Sequence, residues 1–213
     1  MQLNVYIISH PLIKQIASIT NNENLISCIK EKKTQQLGLL LIYETIRRWL
    51  IIQSLYIKKL HLIKEIDIIH KTESYTIITN IPHNQSLVSE ITTLLPNSQL
   101  SLIHIYEKEG KWHINHKCNF IPNIIEKYKK IIIIEKYLQT GYITELLDYL
   151  LSEKNVRISQ IRITCIACQA LTLEILGAKY PYLSIYTTKI VENQEVYNKY
   201  FLSRLNFKQH TRY

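Results

Sequence analysis

A predicted strand, a short polar turn and a helix carry the residues of this chain that are best placed for chemistry. Four consecutive isoleucines at positions 131–134 predict a strand buried on both faces. Glu135 follows it, Gln139, Thr140 and Gly141 form the turn, and leucines at helical spacing over 146–151 predict a helix. Open α/β sheets bind ligands at such junctions, where helix N–H groups can hold an anion. A single glycine is a weak phosphate cradle, so these residues alone favour an ordinary turn.

A second pattern with chemical potential is Cys165 and Cys168, a Cys-x-x-Cys at the end of a predicted strand. Such a pair serves redox chemistry or zinc, and a zinc site would need further ligands from the His-x-x-His-x-Cys run at positions 113–118. Buried free cysteines behave as small hydrophobes. We therefore favour a core role for the pair and expect no metal site.

The last residues, from about 196, interleave basic and aromatic side chains. This composition suits stacking on single-stranded RNA or a protein-binding hot spot, and an unremarkable C-terminus explains it equally well. The residues that we take as candidates for binding a partner are Tyr197, Tyr200, Phe201 and Arg204.

Alternating strands and helices position these groups and predict an α/β fold with a mainly parallel central sheet flanked by helices. A β-hairpin is expected at about 100–121, and the basic stretch before residue 70 offers an edge strand at 66–68. The other strands are expected at 5–9, 75–79, 161–167 and 183–187, and the helices at 12–19, 25–49, 86–95, 144–151 and 170–177.

Composition limits the classes of protein that fit. The 213 residues suit one domain, which we divide into an N-terminal strand and helices (1–50), a core sheet with the hairpin (72–190) and the tail (191–213). We find no secretory signal and no apolar run long enough for a membrane helix, and the four cysteines suggest reduced thiols. The net charge of +9 permits nucleic acid, anionic lipid or an acidic protein as partner.

The abundance of Ile, Asn, Lys and Tyr, with only 4 Gly and 5 Pro, is what an AT-rich genome such as an organelle's would encode. Part of the positive charge then reflects codon bias.

Four segments, in order along the chain, resemble the uracil phosphoribosyltransferase family. They are VYIISHPLIK at 5–14, LLLIYET at 39–45, LQTG at 138–141 and KYPYLSIYT at 179–187. The resemblance implies a type I phosphoribosyltransferase fold and usually a homo-oligomer. Members of that family join uracil to phosphoribosyl pyrophosphate with magnesium and release uridine monophosphate.

The same resemblance implies a damaged active site. Glu135 occupies the position of the acid that addresses the ribose, and Thr140 and Gly141 keep the end of the phosphate loop, but Tyr142 and Ile143 replace its second glycine and its serine. Such a loop presents bare N–H groups to an anion, which bulky side chains obstruct. The loop at 80–84 lacks the family's arginine and glycine, Glu107 stands in place of a second arginine, and the aligned tail lacks the glycines, proline and aspartates that frame uracil.

We therefore predict a family member without catalysis, in which Glu135, Gln139, Thr140 and Gly141 are a vestigial phosphoribosyl pyrophosphate loop and no residue is catalytic. Its role would be structural or regulatory, through a protein partner in a plastid assembly. That assembly would lie in the stroma or near a thylakoid complex. We do not expect an integral membrane protein. Two alternatives stay open: an active uracil phosphoribosyltransferase of pyrimidine salvage, and an RNA-binding regulator on the same fold. We expect no cofactor unless activity is retained, in which case Mg²⁺ is needed.

Overall fold

The computed structural model describes residues 3–20, 26–80 and 84–192. The strands in these ranges are β1 (Asn4–Ile7), β2 (Ile52–Lys59), β3 (Leu62–Ile69), β4 (Tyr75–Asn80), β5 (Ser98–Lys108), β6 (Lys111–Asn119), β7 (Lys130–Leu138), β8 (Ile161–Gln169) and β9 (Ser184–Val191). The α-helices are α1 (Pro11–Thr20), α2 (Ser27–Ile46), α3 (Gln85–Val88), α4 (Ile91–Leu94), α5 (Thr140–Asp148) and α6 (Ala170–Lys179). A π-helical turn (Tyr149–Glu153) extends α5, and a 3-10 turn (Ile158–Gln160) precedes β8.

Seven strands form one sheet in the order β1-β9-β8-β7-β4-β5-β6, with β7 in the middle. Neighbouring strands are parallel except β5 and β6, which pair as an antiparallel hairpin. This arrangement confirms the predicted α/β class, the parallel centre and the hairpin arm.

Two hydrophobic cores cover the two faces of the sheet. Ile131 and Ile133 join the core beneath α5, while Ile132 and Ile134 join the core beneath α1 and α2. All four side chains are fully buried. Continuous apolar sequence is what a strand covered on both faces requires, so the isoleucine run was a reliable predictor of the central strand.

Three elements differ from the sequence-based expectation. The stretch read as a basic segment with one edge strand at 66–68 is a complete hairpin, β2–β3, which forms a separate two-stranded sheet. The helix expected at 86–95 is divided into the short α3 and α4. The strand expected to end near Ile134 continues to Leu138, and the helix after it begins at Thr140 instead of 144.

The tail with Tyr197, Tyr200, Phe201 and Arg204 lies outside the described residues, as does most of the loop expected at 80–84. Over the described ranges, no helix combines the length and the apolar character that crossing a bilayer requires.

Candidate functional site

The candidate site lies where β7 ends and α5 begins, and the connection between them is very short. The strand stays paired with β8 to its end, with Tyr137 opposite Ala167 and Leu138 opposite Cys168. Gln139 alone separates strand from helix: its backbone is extended, with φ −111° and ψ 137°. The turn expected at Gln139, Thr140 and Gly141 is therefore reduced to Gln139, because β7 pairs with β8 up to Leu138 and α5 begins at Thr140.

A tryptophan from the hairpin arm fills the space beside Gly141. A Cβ placed on Gly141 would lie 2.0 Å from Nε1 of Trp112, which shows that the indole is packed directly on the glycine backbone. The same indole packs on Tyr142, with ring centroids 6.4 Å apart and the planes at 58°. Glycine is needed here to admit a close neighbour, and that neighbour is Trp112.

The hydroxyl groups at the start of α5 bond to the protein itself. The Oγ1 atoms of Thr140 and the buried Thr172 are 2.8 Å apart. The Thr144 hydroxyl donates to the Thr140 carbonyl at 2.9 Å and to the Gly141 carbonyl at 2.8 Å. These bonds tie the first turn of α5 to α6 and to itself.

Glu135 is a buried structural carboxylate, with 3% of its surface exposed. Its Oε1 accepts a bond of 3.0 Å from the Asn80 backbone N–H, and its Oε2 accepts one from the side-chain amide of Asn84. The Oδ1 of Asn84 in turn accepts from the Lys136 N–H at 3.1 Å, and Oδ1 of Asn80 accepts from the Ile105 N–H at 3.2 Å. Strands β4, β5 and β7 are thus joined at their carboxyl ends by one carboxylate and two amides.

The charge beside the indole is negative. Glu107 of β5 lies directly opposite Trp112 in the antiparallel ladder, and residues so paired project from the same face. An exposed carboxylate at this position lowers the affinity of the neighbourhood for any anion.

Cys165 and Cys168 are both buried in the core beneath α5. A hydrogen bond between the two thiols, together with burial, raises the pKa of Cys165, and the same bond lowers the pKa of Cys168. All four cysteines are free thiols. No group of three or more His, Cys, Asp or Glu side chains that could hold a metal ion occurs among the described residues.

The order and pairing of the strands, with helices on both faces, define a type I phosphoribosyltransferase fold. The Aquifex aeolicus protein AQ2163 shows the same architecture, with a TM-score of 0.74 at 18% identity over 89% of this chain and 88% of that one.

The sequence places the chain more narrowly. The family model for uracil phosphoribosyltransferase matches residues 7–202, and the chain belongs to that family.

Its curated relatives include the "Uracil phosphoribosyltransferase homolog" of the red alga Pyropia yezoensis, 30% identical over 91% of both chains. The uracil phosphoribosyltransferase of Nicotiana tabacum is 26% identical over 85% of this chain and 81% of that one. A chloroplastic uracil phosphoribosyltransferase of Arabidopsis thaliana is 24% identical over 85% of this chain and 62% of its own.

The groups that the resemblance assigns to the phosphate loop contact the protein itself. The indole of Trp112 covers the backbone of Gly141, and both oxygens of Glu135 accept hydrogen bonds, from the Asn80 N–H and from the Asn84 amide. The prediction that Tyr142 and Ile143 obstruct an anion is wrong, because both side chains are buried in the core beneath α5.

Two of these residues were not identified from the sequence. Trp112 was assigned only to a hairpin strand, and no local pattern links it to Gly141, 29 positions away. Asn84 was read as part of a degraded loop. The signal available for it was its place just before α3, since asparagine is a favoured residue at a helix N-terminus.

Proposed function

We propose that this chain is a member of the uracil phosphoribosyltransferase family without catalytic activity, which acts by binding a protein partner in a plastid assembly. The observation that carries the proposal is the contact of Trp112 with Gly141, because the surface that an enzyme of this type offers to the ribose phosphate is covered here by an aromatic side chain. A phosphoribosyl transfer depends on positioned groups around the pyrophosphate, and each lost charged contact costs about 1.5–3 kcal/mol of binding.

The proposed contact surface is the hairpin β2–β3. It forms its own two-stranded sheet, and a two-stranded hairpin has marginal stability by itself in water. Every residue of β2 and most of β3 are exposed, and Leu60 at the turn is 93% exposed. The large apolar side chains exposed on the hairpin and its flank are Ile51, Ile52, Leu55, Tyr56, Ile57, Leu60, Leu62 and Ile63.

Such a concentration of exposed apolar groups is typical of a protein-binding surface. Tyrosine and isoleucine side chains offer a large area for burial against a second protein. The family's red algal and chloroplastic members support a plastid as the place where this contact is made. The stroma, near a thylakoid complex, is the compartment that we propose.

Titration calorimetry with phosphoribosyl pyrophosphate and Mg²⁺ tests the loss of catalysis. We expect no uridine monophosphate when uracil is added, and no binding of phosphoribosyl pyrophosphate that depends on Mg²⁺. The tobacco relative, measured in the same buffer, is the positive control. Formation of uridine monophosphate, or micromolar binding that requires Mg²⁺, would overturn the proposal and favour the active enzyme.

Capture from plastid extract tests the partner. The tagged wild-type chain should retain a stoichiometric protein that the variant Leu60→Lys/Ile63→Lys does not retain. The matched control is Ile124→Lys, which adds a charge at an apolar residue that is 83% exposed and lies outside the hairpin. Equal capture by all three chains would rule out the hairpin, and salt-dependent retention of RNA instead of protein would favour the RNA-binding alternative.

A further inference from the structure

A second concave site lies away from the β7–α5 junction and shares no residue with it. Its walls are the end of β1 with the loop that follows, residues 6–10, and the last turn of α2. Arg162 of β8 and Tyr186 of β9 also line it, and its volume is about 430 Å³. This is the size of cleft that takes a small molecule and is too small for a folded segment of a protein.

The cleft is strongly positive. Arg47, Arg48 and Arg162 line it, against a single carboxylate, Glu44. Glu44 is 3.4 Å from Nη1 of Arg47, so that pair is neutral and two guanidinium groups remain uncompensated within the described residues. Arg48 is exposed, and Arg162 is partly buried.

Arg162 is the unusual member because it is partly buried and has no counter-ion among the described residues. Its Nη1 donates to the Thr45 carbonyl at 2.6 Å, and its guanidinium lies over the Trp49 ring at 4.3 Å. Among the described residues, no carboxylate forms an ion pair with it. Burial consequently lowers the pKa of Arg162, and burying an unpaired charge is costly unless an anion compensates it.

The wall opposite the arginines is aromatic. The rings of Tyr6 and Tyr186 are stacked, with centroids 4.7 Å apart and planes at 20°. Tyr186 also lies 5.5 Å from the Arg162 guanidinium, measured to the ring centroid, so cation and stacked rings meet at the floor of the cleft. Tyr6 remains 43% exposed and presents an edge of the stack to solvent.

We propose that this cleft binds a small phosphate monoester through Arg48 and Arg162, with Tyr6 and Tyr186 beside the ester group. The net charge of the ligand decides which class of anion matches this cleft. A phosphate monoester carries about −1.5 to −2 at neutral pH and matches the two uncompensated guanidinium groups, whereas a monocarboxylate leaves one of them unpaired. Guanidinium groups also bind phosphate oxygens in pairs, with a geometry that lysine lacks.

The test is binding of inorganic phosphate and of phenyl phosphate to the full chain, followed by nuclear magnetic resonance or calorimetry. We expect saturable binding of both, with phenyl phosphate tighter because of the aromatic wall, and weaker binding of benzoate. Arg48→Gln should weaken phosphate binding about tenfold or more, the scale of one charge-assisted hydrogen bond. Arg162→Lys keeps the charge but loses the paired donors and should also weaken it.

A variant that should bind phosphate more tightly distinguishes an effect on the cleft from loss of folding. Glu44→Gln removes the one carboxylate in the cleft and should tighten phosphate binding, an effect that a damaged fold would not give. Arg157→Gln, an exposed arginine outside the cleft, is the matched control and should bind as the wild type does. Equal affinity in all variants, tighter binding of benzoate than of phenyl phosphate, or no saturable binding would each overturn the proposal.

Phosphoribosyl pyrophosphate carries a phosphate monoester and can enter this cleft, so its binding alone does not separate the two sites. Formation of uridine monophosphate reports on the β7–α5 junction. Phosphate binding that depends on Arg48 and Arg162 would stand whether or not that product forms.

Discussion

Glu135 is a structural carboxylate in this chain. The resemblance assigns its position to ribose recognition, yet both carboxylate oxygens accept hydrogen bonds inside the protein. A buried carboxylate is tolerated when donors surround it, and here the donors come from β4 and from the residue before α3. The side chain therefore joins β7 to β4 and to the residue before α3.

Glu135→Ala should therefore destabilise the chain by about 2–4 kcal/mol, since it leaves the Asn80 N–H and the Asn84 amide without their buried acceptor. Urea unfolding measures the change. Glu174→Ala, on the exposed face of α6, is the matched control and should shift the free energy of unfolding by less than about 0.5 kcal/mol. Similar losses from the two substitutions would contradict the structural role of Glu135.

Contact between Trp112 and Gly141 predicts a strong energetic coupling. Gly141→Ala forces a methyl group into the indole and should cost about 1–3 kcal/mol of stability. In a Trp112→Leu background the same substitution should cost much less, because the indole is no longer there, and thermal unfolding of the four chains gives the coupling.

Gly177→Ala controls for the change in helix propensity. Its Cβ would lie 3.4 Å from Cβ of Leu3, an ordinary contact, so a neutral or slightly stabilising result is expected. A cost of Gly141→Ala that is independent of Trp112 would show that the indole does not cover the glycine.

Elements differ in how well the sequence predicts them, and the reasons are physical. The run at 131–134 identifies β7 because only a strand covered on both faces needs four isoleucines in succession. The sequence did not predict the hairpin β2–β3, because its turn, Leu60 and His61, contains none of the glycine, asparagine or aspartate residues that usually mark a hairpin. Lys58, Lys59 and Lys64 also interrupt the apolar pattern on both sides of this turn.

At the candidate site, the end of β7 shows what the sequence could not predict. Local sequence resembling a phosphate loop predicted an open turn before Thr140, but pairing with β8 extends the strand to Leu138. Sheet pairing and the packing of Trp112 are contacts between distant segments, so no local pattern could reveal them. The identity of the site residues was readable from the sequence, and their buried state was not.

The separate pairing of the hairpin β2–β3 predicts that the core is stable without it. Its strands pair with each other and not with the seven-stranded sheet. Replacing residues 52–69 by a short Gly-Ser linker should therefore leave the midpoint of thermal unfolding within a few degrees of wild type. The shortened chain should lose the partner captured by the full chain, whereas a fall of more than about 10 °C would show that the hairpin stabilises the core.

At the scale of the whole molecule, the two faces of the sheet carry different chemistry. The face beneath α5 has a hydrophobic core, and the Trp112 indole packs on Gly141 and Tyr142 beside it. The face beneath α1 and α2 ends in the arginine cleft. Retention of a scaffold does not require retention of its activity, since core packing and site electrostatics depend on different residues.

Stability at high pH depends on two buried phenols that lie in these two cores. Tyr75 donates to Glu73, and Tyr180 donates to Oδ1 of Asp148 at 2.8 Å. Burial, together with these carboxylate partners, raises the pKa of both hydroxyls far above the ordinary value of about 10. Between that value and the raised one, the unfolded chain loses protons that the folded chain keeps.

Linkage gives the direction of the change in the free energy of unfolding. The stabilisation from these two phenols is complete below pH 10 and falls as pH rises, by up to about 1.4 kcal/mol per pH unit for each phenol. Urea unfolding of the wild type from pH 9 to 11.5 should show this decline. The double variant Tyr75→Phe/Tyr180→Phe should be less stable at pH 8 but have a flatter pH dependence above 10, because lysine titration is common to both chains. Parallel curves for the two chains would mean that the phenols ionise in the folded state as readily as in the unfolded one.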